Sequence, residues 1–199
     1  MVSDRYFTRM TPDPLADLCA ELMLHLARLG QSGGYGQRLT QAQWTALRFF
    51  ARANRFSRTP SAFSSFHATT RGTASQTVKS LVAAGLLERH RSESDGRSLR
   101  FELTEAGRTA LEEDPLDDLS RALAALPTPR RADLLATLRV LVERVSGERG
   151  AEHFGTCADC RHCEPCPQGS GGHVCKCAES ALLAGEFDKL CVDFAPQLR

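Results

Sequence analysis

Apolar positions recur at three- and four-residue steps through most of the chain, the period of helices that hide one face. Leu15, Leu18, Leu22, Leu26 and Leu29 form such a row and predict a first helix over residues 13–29, ahead of the glycine-rich loop GQSGGYG. Thr40 and Gln43 make a capping box for a second helix, which turns Trp44, Leu47 and Phe50 inward. Thr59 before Pro60 starts a short third helix, since proline at the first helical position gives up an amide that has no partner there anyway; it should stop near His67. A fourth helix runs from about Thr70 to Gly85 with Val78, Leu81 and Val82 on its buried side.

The period then changes. LLERH and SLRFEL are strand-like, and the Asp95-Gly96 pair between them supplies the positive-φ residues of a tight hairpin. Thr104 caps a fifth helix through about Leu126, and Thr128 with Pro129 opens a sixth carrying Leu134, Leu138, Leu141 and Val145. SGERG reads as a linker, dividing the chain into residues 1–147 and a tail, residues 148–199. The fold class is mainly α with a small β-hairpin (α+β), and no internal repeat is visible.

Charge sharpens the picture. The net charge of +1 hides an uneven distribution: residues 48–108 hold eleven Lys or Arg against five acidic residues, and residues 152–199 hold seven acidic against four basic. A polyanion such as nucleic acid suits the cationic middle. At 199 residues the chain can bury one proper core with a small appended module. The start MVSDRYFTRMTPDP lacks the basic start and apolar core of a secretory signal, and no apolar run approaches membrane-spanning length. A cytoplasmic protein is expected, in which clustered thiols stay reduced and bind metal or sense redox state.

That expectation matters because seven of the eight cysteines lie in the tail: Cys157, Cys160, Cys163, Cys166, Cys175, Cys177 and Cys191. Thiolates separated by two residues can turn toward one centre, so CADCRHCEPC is a chelating knuckle that the later cysteines can close. Four thiolates suit a zinc ion and an iron–sulfur cluster alike. The surplus of cysteines and their irregular spacing, close to a ferredoxin signature, favour the cluster, with zinc as the alternative. AESALLAGEFDKL, with Leu182, Leu183, Phe187 and Leu190, is expected to form a short apolar helix that folds back over the centre.

Helix, short helix, second helix and hairpin, in that order over residues 41–103, make a winged helix-turn-helix. LTQAQWTALRFFARAN, followed by RGTASQTVKSLVAAGLLERHRSESDGRSLRFELTEAGR, resembles the MarR family of dimeric bacterial transcription regulators, over roughly residues 12 to 147. The run from Gly85 to LTEAG carries the resemblance most sharply, while SRTPSAFSSFHATT departs from the more aliphatic helix usual at its place.

The resemblance implies a homodimer on a palindromic site in double-stranded DNA, with the first, fifth and sixth helices of two subunits interlocked. A helix in the major groove reads bases with its N-terminal part, here Arg71, Thr73, Ser75, Gln76 and Lys79, and the wing reaches the backbone or minor groove through Arg91 and Arg97. Arg89 and Arg100 are equally well explained as solvated charges on the supporting strands. Some MarR-like regulators carry a tail of CxxC, then His-x-Cys, then a last Cys, and this implies Cys157, Cys160, Cys175 and Cys191 as ligands, with His173 beside them.

Two other functions compete with a regulator under metal control. One is a small-molecule-responsive repressor with a structural zinc tail, its pocket lined by Tyr35, Trp44 and His25. The other is a metal-dependent enzyme recruiting His153, His162, Glu164 or His173, but no nucleophile, phosphate loop or carboxylate pair accompanies them, and no catalytic residue is assigned.

Overall fold

The structure, a computed structural model, describes residues 13–30, 39–91, 99–149, 154–166 and 172–197. α1 (Pro14–Leu29) opens on Asp13, whose Oδ1 accepts hydrogen bonds from Leu15 N and Ala16 N at 3.0 and 3.2 Å. α2 (Gln41–Arg52) begins with the expected capping box: Thr40 Oγ1 accepts from Gln43 N, and Gln43 Oε1 accepts from Thr40 N at 2.8 Å. Thr59 and Thr70 cap α3 (Pro60–Phe66) and α4 (Arg71–Ala83) one way only, their hydroxyls accepting from Ala62 N and Thr73 N at 3.1 Å each. β1 (Leu87–Arg91) and β2 (Leu99–Leu103) pair antiparallel with Leu87 opposite Leu103 and Arg91 opposite Leu99. The hairpin tip, with Asp95, Gly96 and Arg97, lies outside the described residues.

The expected fifth helix is two. α5 (Glu105–Leu111) ends before Pro115, and α6 (Leu116–Ala124) starts after it. Proline lacks the amide that would bond back to Leu111 and disfavours helical backbone at Asp114, whose Oδ1 instead accepts from Leu116 N at 2.9 Å. α7 (Thr128–Arg149) runs through the SGER segment, so the expected linker is helix up to Arg149.

The tail is built from short strands. β3 (Gly155–Thr156) pairs with β7 (Leu190–Cys191), and β4 (Cys163–Pro165), β5 (His173–Cys175) and β6 (Ser180–Ala181) form an antiparallel sheet in that order. The helix expected over AESALLAGEFDKL is absent: Glu179 and Gly185 take positive φ, 47° and 81°, conformations that end a right-handed helix at once. Leu190 joins the buried apolar cluster of the winged helix.

The chain divides into two compact units: α1, α6 and the first turn of α7 belong to one, and the winged helix, the rest of α7 and the tail to the other. The second unit holds the core. Phe49, Phe50, Phe63, Leu47, Val78, Leu81 and Leu87 are almost wholly buried, each contributing roughly 1.5–3 kcal/mol. The aromatic character of α3 now has a reason. Phe63 and Phe66 pack tilted against Phe49, and Phe154 from the tail closes edge-on over Phe49 and Phe66 at 6.4 and 5.2 Å. Among the described residues, no helix is long and apolar enough to cross a membrane.

Candidate nucleic-acid interface and cysteine cluster

α4 buries Ala74, Val78 and Leu81 and leaves Arg71, Thr73, Gln76 and Lys79 exposed together, the helical consequence of their spacing. Ser75 is half-buried, and the Thr73 hydroxyl lies 2.9 Å from that of Thr70, so it is part of the cap as well as of the face. Gln43 Nε2 donates to Ser80 Oγ at 3.0 Å and ties the far end of α4 to α2. Two cations and an amide thus stand on a helix whose other side is locked in the core, which is the form a base-reading helix needs.

The hairpin is mounted rigidly on the same core. Phe101 N donates to Arg58 O at 2.9 Å, Arg58 NH1 donates to Glu102 at 2.8 Å, and Thr104 Oγ1 donates to Gly85 O at 2.6 Å. Arg89 and Arg91 are exposed along β1, and Arg100 is half-buried on β2. Gly107 sets the approach of α5: a Cβ there would sit 2.2 Å from Leu86 O, closer than any side chain tolerates. That contact is why LTEAG ends in glycine.

The tail strands gather thiols. β3 with β7 places Gly155 opposite Cys191, two residues before Cys157 opens the turn that leads to Cys160, and β4 with β5 sets Cys163 opposite Cys175. Cys160 N donates to Cys157 O and Cys163 N to Cys160 O, so the knuckle advances in two tight steps. Cys157, Cys160, Cys175 and Cys191 are buried at 4–8% exposure, Cys163 and Cys166 are half-buried, and Cys177 is exposed.

Burial pushes the Cys157 thiol up to about 12, helped by Cys191, Cys163, Cys175 and Cys160 close by. Burial likewise raises Cys191, against the opposing hydrogen-bonding influence of Asn54 and Ser57. Among the described residues, however, no three His, Cys, Asp or Glu form a ready metal-holding group. The thiols are neighbours and not a preformed shell.

Asn54 bears on whether a metal fits here. Among the described residues its buried Nδ2 completes no hydrogen bond, and the Asn54 side chain lies near enough to Cys191 to favour its thiolate against the effect of burial. A donor held beside a thiol is matched to a thiolate, the form in which sulfur binds metal. Four buried sulfurs are the donor type a thiolate-bound metal takes, with the Asn54 amide placed to support one of them, although they do not stand as a ready shell.

Residues with no sequence signal complete the cluster's support. Arg55 pairs with the buried Glu186, 131 positions away, and Val192 N donates to Ser57 Oγ at 2.8 Å across 135 positions. Contacts of that separation leave no local pattern. Arg139 on α7 donates to Asp159 in the knuckle at 3.3 Å. Among the residues considered for a pocket or enzyme, His25 is exposed on α1, Trp44 is half-buried, and Tyr35 and His153 lie outside the described residues. His173 lies against Phe187 at 4.5 Å between ring centres, and Glu164 pairs with Lys176.

A sequence model described as the MarR family matches residues 39–98. No curated protein matches the chain. Solved structures do. A MarR transcriptional regulator from Methanosarcina mazei Go1 is 24% identical, with 64% of this chain and 96% of that one covered at a TM-score of 0.51. MepR from S. aureus, in complex with DNA, is 16% identical over 67% of this chain and 99% of its own, at 0.54. CouR from Rhodococcus jostii RHA1, bound to p-coumaroyl-CoA, is 15% identical over 67% and 94%, at 0.56. The chain thus has the winged-helix fold of these regulators, and its residues 39–98 are those that match the MarR family.

Proposed function

We propose that the protein is a MarR-type transcriptional regulator, not an enzyme, that binds double-stranded DNA as a cytoplasmic homodimer under the control of a metal centre in its tail. The observation that carries the DNA-binding part is the exposed row Arg71, Thr73, Gln76 and Lys79 on a core-locked α4, within the segment matching the MarR family. Arg71 and Gln76 face bases, since arginine pairs with guanine and glutamine with adenine; Lys79, Arg91 and Arg97 hold phosphates, and Thr73 and Ser75 suit either. MepR bound to DNA has the same fold.

Dimerisation follows from surface that one subunit leaves uncovered. Leu15, Leu18, Leu22, Leu26 and Leu29 on α1 are 46–68% exposed, and Leu134, Leu138, Leu141 and Val145 on α7 are exposed as well. Rows of leucine at helical spacing are covered by a second copy, and a two-fold dimer reads a palindromic operator.

Cys157, Cys160, Cys175 and Cys191 would hold the metal centre. An iron–sulfur cluster supplies redox sensing when bound, whereas a zinc ion would make the tail a structural staple. Cys163, opposite Cys175, stands nearest to substitution for one of the four. Anaerobic purification with iron, sulfide and zinc analysis decides the identity: brown, sulfide-containing protein supports the cluster, and colourless zinc protein replaces it.

DNA binding is tested by titrating duplex fragments selected from a random pool. Arg71→Ala should cost about 1–3 kcal/mol and relax discrimination at one base pair, and Lys79→Ala should weaken all sequences alike. A protein that ignores duplex DNA in dilute buffer overturns the reading. A second reading, control by a small molecule, is favoured by the Trp44 indole N–H, buried without an acceptor among the described residues, and by the bound p-coumaroyl-CoA in CouR. A thermal-shift screen separates the two.

A further inference from the structure

Residues 186–192 of the tail are fastened to the connection between α2 and α3. The Arg55 guanidinium engages the Glu186 carboxylate, Ser180 Oγ at 2.9 Å and Ala181 O at 2.6 Å. Glu186, 6% exposed, also accepts from Arg55 N at 3.1 Å and Leu183 N at 2.9 Å. A carboxylate this buried holds its place only because its oxygens are filled by charge-assisted bonds. Lys189 Nζ donates to Ala51 O at 2.6 Å. Asn54 N donates to Leu190 O and Val192 N to Ser57 Oγ, each at 2.8 Å, and Ala53 bridges Leu190 in parallel.

Cys191 therefore stands between two residues that are both bonded to the winged helix. Leu190 reaches its core at 8% exposure, and Val192 packs against that core. The connection they grip leads straight into Thr59, the cap of α3, and α3 packs on α4. From a candidate ligand to the reading helix the route is one strand, one connection and one short helix.

We propose that residues 190–192, seated on Asn54 and Ser57 and locked by Arg55 with Glu186, transmit the state of the cysteine centre to α4 within a single subunit. Gathering the Cys191 sulfur into a centre, or releasing it, shifts a strand that cannot move without carrying residues 53–58, and so changes how α4 is presented. Arg55, Glu186, Asn54 and Ser57 are positioning residues: they touch neither the DNA nor, as proposed, the metal. The inference rests on the reading that the tail centre controls DNA binding, and it places that control inside one protomer instead of in the spacing between two.

The test uses full-length protein, loaded anaerobically with iron and sulfide or with zinc, and the same protein stripped by a chelator. Duplex affinity is measured for the wild type, Glu186→Gln and Ser57→Ala, together with metal content and hydrogen exchange at the Asn54 and Val192 amides. In the wild type, loaded and stripped forms should differ about tenfold or more in Kd, and both amides should exchange faster once stripped. Both variants should keep their metal and bind DNA, with the difference reduced to less than about threefold. Ser57→Ala keeps the test alone if Glu186→Gln does not fold. The coupling is overturned if the variants keep both the metal and the full difference, or if the two amides exchange equally in both forms. A wild type whose two forms bind DNA equally overturns the underlying reading of metal control, and the coupling with it.

Discussion

At the level of single residues, the chain divides into those whose role follows from type and spacing and those whose role follows from a neighbour. Gly107 is of the second kind. Any Cβ meets Leu86 O at 2.2 Å, a backbone atom that cannot rotate away, so Gly107→Ala should destabilise the fold by about 1–3 kcal/mol, read as a lower denaturation midpoint. An unchanged midpoint would mean that α5 can slide. The cysteines divide the same way. Among seven tail thiols the family resemblance singles out Cys157, Cys160, Cys175 and Cys191, and burial separates the same four from the exposed Cys177. Cys157→Ser and Cys191→Ser are expected to lose bound metal while Cys177→Ser retains it, as measured by metal analysis of anaerobically purified protein. Retention by all three would move the centre elsewhere.

At the level of elements, caps and apolar rows located the first four helices well. Thr40, Thr59 and Thr70 each accept from the amide three residues on, a bond that depends only on local sequence. The errors have equally local causes that the apolar period masked. Pro115 splits the expected fifth helix, and positive φ at Glu179 and Gly185 replaces the expected tail helix by turns. The linker read in SGERG failed because serine and glycine only weaken a helix, and α7 continues through them. The phenylalanines of α3 gain their meaning from Phe154, roughly ninety residues later, which covers Phe66 and Phe49. Phe154→Ala should cost about 1–3 kcal/mol in chemical denaturation, with an effect comparable to that of Phe66→Ala, because each removes the other's partner. Full stability of Phe154→Ala would detach the tail from the winged helix.

At the level of the whole molecule, charge and uncovered leucine decide the behaviour. Replacing Leu138 and Leu141 by Glu should convert a dimer into monomers by light scattering and weaken duplex binding at least tenfold, since a monomer engages one half-site. A dimer that survives both changes would need another surface. Affinity should fall steeply with salt in proportion to the phosphates neutralised, and a flat salt response would remove the backbone contacts assigned to the wing. The first four helices with their caps, the hairpin strands and the exposed basic face of α4 were determined by the sequence alone, because each depends on residues a few positions apart. Only tertiary structure decided which thiols are buried together, that Leu190 enters the core of the winged helix, and that Arg55 meets Glu186. The last two join segments more than a hundred residues apart, and the free energy that selects all three is burial and desolvation, to which no local pattern corresponds.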